Sequence, residues 1–477
     1  MAAQWDPISL RQAMSDRMSL DEIESLCFDL GIDADNLGGD NKSAKIRELI
    51  QYMQRRGRLD DLTAQLAKVR PDITPPGAAS TRNATPAPEQ AAPGSPQPGD
   101  SPTVSPTTLK PTWSYVDFDV AIASASSGYT VNVLTSPAGQ ASATTQFALD
   151  AGPIADGVAA LKRAQFDTTL AKSLGGTLLA ALLQGGVADA YFATLGRAES
   201  QQRGIRLRLR VNAPELKALP WEYLYDAKRD NFLAVRRDVV ISRYLEVFQG
   251  LDPVSPPGAL RILVLLSGPT GPAILDLAGE QKRIEDALAP LVNNGRVVVE
   301  FETNPTASNI RARLRRNVYH VIHYSGHAYY ATESKLVLNQ SVTKDTGYVV
   351  LPHDDGSARL MDEESFAQFF LYPSIRLVTL NACQGAQSSL TEYLSGLGDK
   401  LVQTAGIPAV IAMQFPIADM AAKEFAREFY ASLADGLPID AAVAQARLAL
   451  FQDRGASDRA WGTPVLFMRS ETGRLFN

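Results

Sequence analysis

Cysteine is nearly absent from this chain: 477 residues carry only Cys27 and Cys383. The two fall in different domains of the reading below, so a disulfide framework is not expected, and a reducing cytoplasm fits. No run of 18 or more apolar residues occurs. The runs 178–183 and 407–413 are too short to span a bilayer, so no membrane partner is expected. Met1 to Pro7 has neither a basic stretch nor an apolar centre, which argues against a secretory signal. Positive charge is not in excess. The net charge of −6 gives no general support for nucleic-acid binding. The clusters Arg55-Arg56-Gly57-Arg58 and Arg311 to Arg316 are short and read as solvated helix faces. A phosphate-binding Gly-Lys-Ser/Thr loop is missing. The loop Leu266 to Pro272 contains two prolines, which lack the amide donors such a cradle needs. No cofactor is expected.

What is present reads as a globular chain of two or three domains, 45% apolar and 21% charged. Residues 1–70 form a small all-α domain. Ser19-Leu20-Asp21-Glu22 is a capping box, followed by Leu20, Ile23, Leu26, Cys27 and Leu30 at helical spacing. A second stripe is Ile46, Leu49, Ile50 and Met53, and a third is Leu59, Leu62, Leu66 and Val69. Cys27 lies on an apolar stripe and reads as a small core residue. Residues 71–112 read as a disordered linker. Positions 71–111 hold eleven prolines and no aromatic residue, too little apolar surface to offset chain entropy. Residues 113–477 alternate β-formers with amphipathic helices, which predicts βαβ units and a mostly parallel α/β sheet with flanking helices. Strands are expected at 118–122, 130–134, 205–211, 261–266, 297–301, 318–324, 377–380 and 409–413. Helices are expected at 168–183, 278–291, 308–315, 364–370, 420–433 and 439–451. Val342 to Gly356 reads as a polar loop that is cut or reorders on activation.

Two of these strands end on reactive side chains. Val321-Ile322-His323-Tyr324-Ser325-Gly326-His327 is one, and Leu377-Val378-Thr379-Leu380-Asn381-Ala382-Cys383-Gln384-Gly385 is the other. Open α/β sheets place their sites outside the carboxyl ends of their strands. A thiolate at Cys383 can attack a carbonyl, and an imidazole at His327 can hold the ion pair and protonate the leaving amine. The segment Asn381 to Gly385 matches four of five positions of the caspase signature, with His327 lying 56 residues upstream.

The α/β region resembles a CHAT domain, a caspase-like protease module of clan CD. The residues that carry this are 218–226 (Ala-Leu-Pro-Trp-Glu-Tyr-Leu-Tyr-Asp), Ile241-Ser242-Arg243-Tyr244, His323 to His327, Leu380 to Gln384, Gly406 to Val410 and Trp461-Gly462-Thr463-Pro464-Val465-Leu466. The N-terminal helices are similar to death-like, effector-associated adaptor domains, through Ser19 to Glu22, Leu26 to Gly31 and Arg55 to Leu59. The resemblance implies a caspase-like fold and a cysteine endopeptidase with Cys383 as nucleophile and His327 as acid/base. It implies an oxyanion site made by the backbone N–H groups of Cys383 and Ala328. Losing one such donor costs on the order of 3–4 kcal/mol in the barrier. It implies a homotypic death-like partner and a protein substrate, such as a pore-forming or toxic effector in a bacterial defence or programmed-death system. A long tether to an adaptor raises local concentration without fixing geometry.

The chain departs from the family pattern in two places. Ala328 stands where a glycine is usual, and is strained only if that position needs positive φ. Asn381 stands where relatives carry Gln or Asp, which leaves the preferred side chain before the scissile bond open. Asn381 and Asp419 are assigned to that side chain's pocket. Asp354, Asp355 and Asp362 could also line it, the alternative for each acid being a solvated or capping role. His323 would share a face with His327, but the segment is made of β-formers and lacks the glutamate of a zinc helix. No metal is expected, and His323 reads as a supporting core residue. His320 and His353 have no assigned role. The competing function is an inactive pseudoprotease scaffold that binds partners and cuts nothing.

Overall fold

The computed structural model describes residues 7–18, 22–23, 26–27, 30, 42–55, 58–70, 114–245, 252–271, 275–331, 333–343, 346–382, 397–398 and 400–477. Cys383, the capping residues Ser19 to Asp21 and the linker at 71–112 lie outside these. The chain divides into two compact units, Met1–Thr107 and Thr108–Asn477.

The first unit contains α1 (Pro7–Arg17), α2 (Lys42–Arg55) and α3 (Leu59–Val69). Ile46, Leu49 and Met53 of α2 and Leu62 and Leu66 of α3 are buried on the stripes read from the sequence, together with Cys27. The sequence reading had no helix before Ser19. Yet α1 opens with Pro7 at its first position, where a missing N–H costs nothing. It places Leu10 and Met14 in the same core.

The second unit is built on one sheet. Its strands are β1 (Tyr115–Ser124), β2 (Tyr129–Thr135), β3 (Ala141–Thr145), β4 (Gly204–Val211), β5 (Val239–Tyr244), β6 (Leu260–Leu266), β7 (Val297–Glu302) and β8 (Val321–Gly326). A side sheet of β9 (Ala328–Ala331), β10 (Thr346–Pro352) and β11 (Ala358–Asp362) follows. The main sheet resumes with β12 (Leu377–Ala382), β13 (Ala409–Met413) and β14 (Pro464–Met468). Among the described residues the main sheet has 11 strands, in the order β3-β2-β1-β4-β5-β14-β13-β12-β8-β6-β7. Neighbours from β12 through β8 and β6 to β7 are parallel, as are β1, β4, β5 and β14. Only the β13–β14 contact in this span is antiparallel, so the span consists of two oppositely directed parallel halves, with the antiparallel β2 and β3 added at one edge.

Helices cover both faces, which is why β6, β8 and β12 read as unbroken apolar runs. Ile262, Val264, Val321 and Leu377 point to the face holding α7 (Leu277–Asn293) and α10 (Asp419–Ala434), while Leu263, Leu265, Ile322 and Val378 point to the face holding α8 (Ala307–Arg316). The helices expected within 113–477 are present, among them α5 (Thr168–Leu182) and α9 (Glu363–Ala367). Three more escaped the sequence reading: α4 (Gly152–Arg163), α6 (Gly185–Ser200) and a single helical turn at Pro214–Lys217. No single described helix is long and apolar enough to cross a membrane.

Several family-bearing motifs meet where the two halves join. Glu222 is buried and paired with Arg243 of β5 at 2.9 Å. Gln414, just past β13, donates to Glu222 at 2.8 Å and to the carbonyl of Gly462 at 2.7 Å. A Cβ on Gly462 would sit 2.4 Å from the Tyr223 ring, so that contact requires glycine. Trp461 packs on the same ring, 4.6 Å between centroids.

One expectation is corrected. Val342 to Gly356 is not an open polar loop. Residues 347–352 are a buried apolar run within β10, paired with β9 and β11. Within the same stretch, Asp354 and Asp355 lie in the turn after it.

Candidate active site

β8 and β12 are parallel and in register from Val321 opposite Leu377 to Gly326 opposite Ala382. Both chains therefore leave the sheet at the same edge. The next residues in sequence are His327 and Cys383, the latter outside the described residues.

His327 is fully buried. Its carbonyl accepts the Val350 N–H at 3.1 Å, and the Tyr324 hydroxyl lies 2.8 Å away. A Cβ at Gly326 would meet the Tyr324 hydroxyl at 2.4 Å and Ser267 at 2.9 Å, so this close approach requires glycine. Ser267 itself donates its hydroxyl to the carbonyl of Val350 at 2.6 Å and its N–H to that of Ser325 at 2.8 Å. Strands β6, β8 and β10 are thus tied together around His327.

Ala328 opens β9 and is not among the residues with positive φ, so alanine is unstrained there. It pairs with Val349, one step from the hydrogen-bonded level of His327 and Val350. Alternation along an antiparallel ladder then turns the Ala328 N–H away from β10.

Asn381 and Asp419 come to the same pocket, with Glu280, Arg283 and His323. Asn381 is buried and donates its side-chain N–H to Glu280 Oε1 at 2.9 Å. Ser325, its register partner, donates its hydroxyl to the same oxygen at 3.2 Å. Arg283 reaches Glu280 Oε2 from Nε and Nη2 at 3.1 and 3.0 Å. Its Nη1 is 3.0 Å from Asp419, which is exposed at the start of α10. The other acids considered play the bland role: Asp362 caps the helix at 363–367 through the Ser365 N–H at 2.8 Å, Asp355 closes a turn onto Ser357, and Asp354 is exposed.

Among the histidines, His323 is buried with Nδ1 3.2 Å from the Tyr430 hydroxyl. Burial lowers its pKa, with Glu280 pulling weakly the other way. His320 accepts the Arg261 N–H at 3.0 Å on Nδ1, and burial lowers its pKa too. His353 is exposed.

Sequence reading missed Glu280, Arg283, Ser267 and the clamp by Tyr324. Glu280 had a visible signal. It lies on the stripe of Ile284, Ala287, Leu288 and Leu291, so it is a carboxylate on a core-facing helix stripe.

The CHAT-domain profile matches residues 168–468. The chain belongs to the CHAT-domain family. It is thereby placed among the caspase-like cysteine peptidases, and its α/β sheet with two helix layers is that fold. Residues 10–71 match effector-associated domain 7. A search of curated proteins finds no match. Among solved structures, separase in its complex with securin from Saccharomyces cerevisiae is similar at a TM-score of 0.33 and 14% identity over 62% of this chain. The match spans 19% of the separase chain. The Arg-specific cysteine proteinase gingipain R is similar at a TM-score of 0.36 and 11% identity, over 62% of this chain and 70% of its own.

Proposed function

We propose that this protein is a cysteine endopeptidase in which Cys383 attacks the scissile carbonyl and His327 carries the proton to the leaving amine. The observation that carries the reading is the register of β8 and β12, which leaves Gly326 beside Ala382 immediately before the two reactive residues. The burial of His327 and the two hydrogen bonds on its carbonyl support a fixed imidazole, as general acid–base catalysis demands. The N–H groups of Ala328 and Cys383 receive the oxyanion. The substrate is a specific protein in the cytoplasm, brought to the site through the domain at residues 1–70, which docks on a partner bearing a similar death-like domain. The linker at 71–112 acts as a tether. A pore-forming or toxic effector in a bacterial defence or programmed-death system suits this arrangement.

The test is covalent labelling of the purified full chain under reducing conditions, with and without enforced clustering through residues 1–70. Peptide-like, thiol-directed probes should label the wild type and fail on Cys383→Ala and His327→Ala. A folded wild type that takes no probe in any state is a scaffold instead.

A further inference from the structure

The pocket beside β8 and β12 contains a feature that the dyad does not use. Glu280 reaches it from α7 as a buried carboxylate. Its partners Ser325 and Asn381 stand two residues before His327 and Cys383 on adjacent strands. Its remaining oxygen is held by Arg283, which also touches Asp419 at 3.0 Å and Asp276 at 3.9 Å. Three carboxylates therefore surround one guanidinium. Lys423, also on the pocket wall, is drawn off to Asp286 at 3.1 Å. His323 completes the wall. It is only 6% exposed, Nδ1 faces Tyr430, and Nε2 has no hydrogen-bond partner among the described residues. The two cations of the wall, Arg283 and Lys423, contact four carboxylates, Glu280, Asp419, Asp276 and Asp286, and the buried, unpartnered imidazole nitrogen accepts an N–H when Nδ1 carries the proton, which suits a ligand bearing N–H groups and positive charge.

We propose that this pocket receives a lysine or arginine side chain of the substrate, the residue whose carbonyl is attacked, with Glu280 as the specificity-determining carboxylate and Arg283 as an internal occupant that the substrate displaces. The proposal rests on the peptidase reading above. Exchange is feasible because one cation replaces another on Glu280, while Arg283 keeps Asp419 and Asp276 nearer solvent. An apolar side chain cannot make the exchange, since it would leave Glu280 buried without a cation. An acidic one meets like charge. Selectivity thus comes from exclusion as much as attraction.

The experiment measures labelling rates of Cys383 in the full chain with four otherwise identical thiol-directed peptide probes ending in Arg, Lys, Leu or Asp. The Arg and Lys probes should react on the order of 100-fold faster than the others. Glu280→Gln, which keeps the volume and one acceptor, should erase that difference. Asp419→Asn is at an exposed position and should fold normally. It should reduce the Arg/Leu ratio several-fold. Arg283→Ala should speed the basic probes. A preference for Leu or Asp, or an unchanged ratio in folded Glu280→Gln, overturns the pocket assignment while leaving the dyad intact. Labelling by no probe overturns both readings.

Discussion

The hydroxyl of Tyr324 lies 2.8 Å from the carbonyl of His327, three residues further on and past the end of β8. The same hydroxyl is 2.9 Å from the carbonyl of Val350. A side chain buried on one face of the sheet therefore fixes the backbone of the catalytic candidate as it crosses the sheet edge.

Tyr324→Phe removes that tie without opening a cavity. The expected result is a loss of about 1 kcal/mol in urea unfolding, and a fall in kcat with KM little changed. A matched fall in both stability and substrate binding would mean that the tyrosine only fills space.

Gly326→Ala should be far more damaging than its size suggests. The added carbon would sit 2.4 Å from the Tyr324 hydroxyl, on a group that is itself hydrogen-bonded. Overpacking of this kind costs about 1–3 kcal/mol. The double variant Gly326→Ala with Tyr324→Phe should recover part of the stability, measured by thermal unfolding.

At the join between the halves, Glu222→Ala would strand Arg243 in the interior. Breaking a buried pair by removing one partner costs about 3–5 kcal/mol. The melting temperature should fall steeply. Glu222→Gln should fall less, because one acceptor remains for Arg243.

Acid should weaken the fold through its buried histidines. Burial holds the pKa of His323 below its ordinary value, down to about 4. The unfolded chain then binds the proton first, so stability falls as pH drops below about 6.5. Between pH 7 and 5 the loss from this residue is about 2 kcal/mol. Urea midpoints for His323→Gln should vary less over that interval than those of the wild type.

The strands that carry the site were legible because they are buried on both faces. Ile262 to Leu266 and Val321 to Tyr324 announce themselves as apolar runs, and each runs to the sheet edge. Strands β9 and β11 were not legible. They lie in a small side sheet and have mixed polarity, and β10 was masked by the polar turn beside it. Strand β14 is five residues long and begins with Pro464, so its pairing between β5 and β13 has no local signal. The dyad candidates were visible from residue type and position. Glu280 was visible only as an anomaly, and its meeting with Asn381 depends on a contact spanning 101 residues.

The position of β14 also bears on biosynthesis. The strand that joins the two half-sheets follows all the others in the chain. While it is still inside the ribosome, β5 and β13 each present an open edge, and Gly462 has not yet met Tyr223. A chain assembled in this order joins its half-sheets last, and a nascent chain cut short before residue 464 would display two sticky edges and no joined sheet.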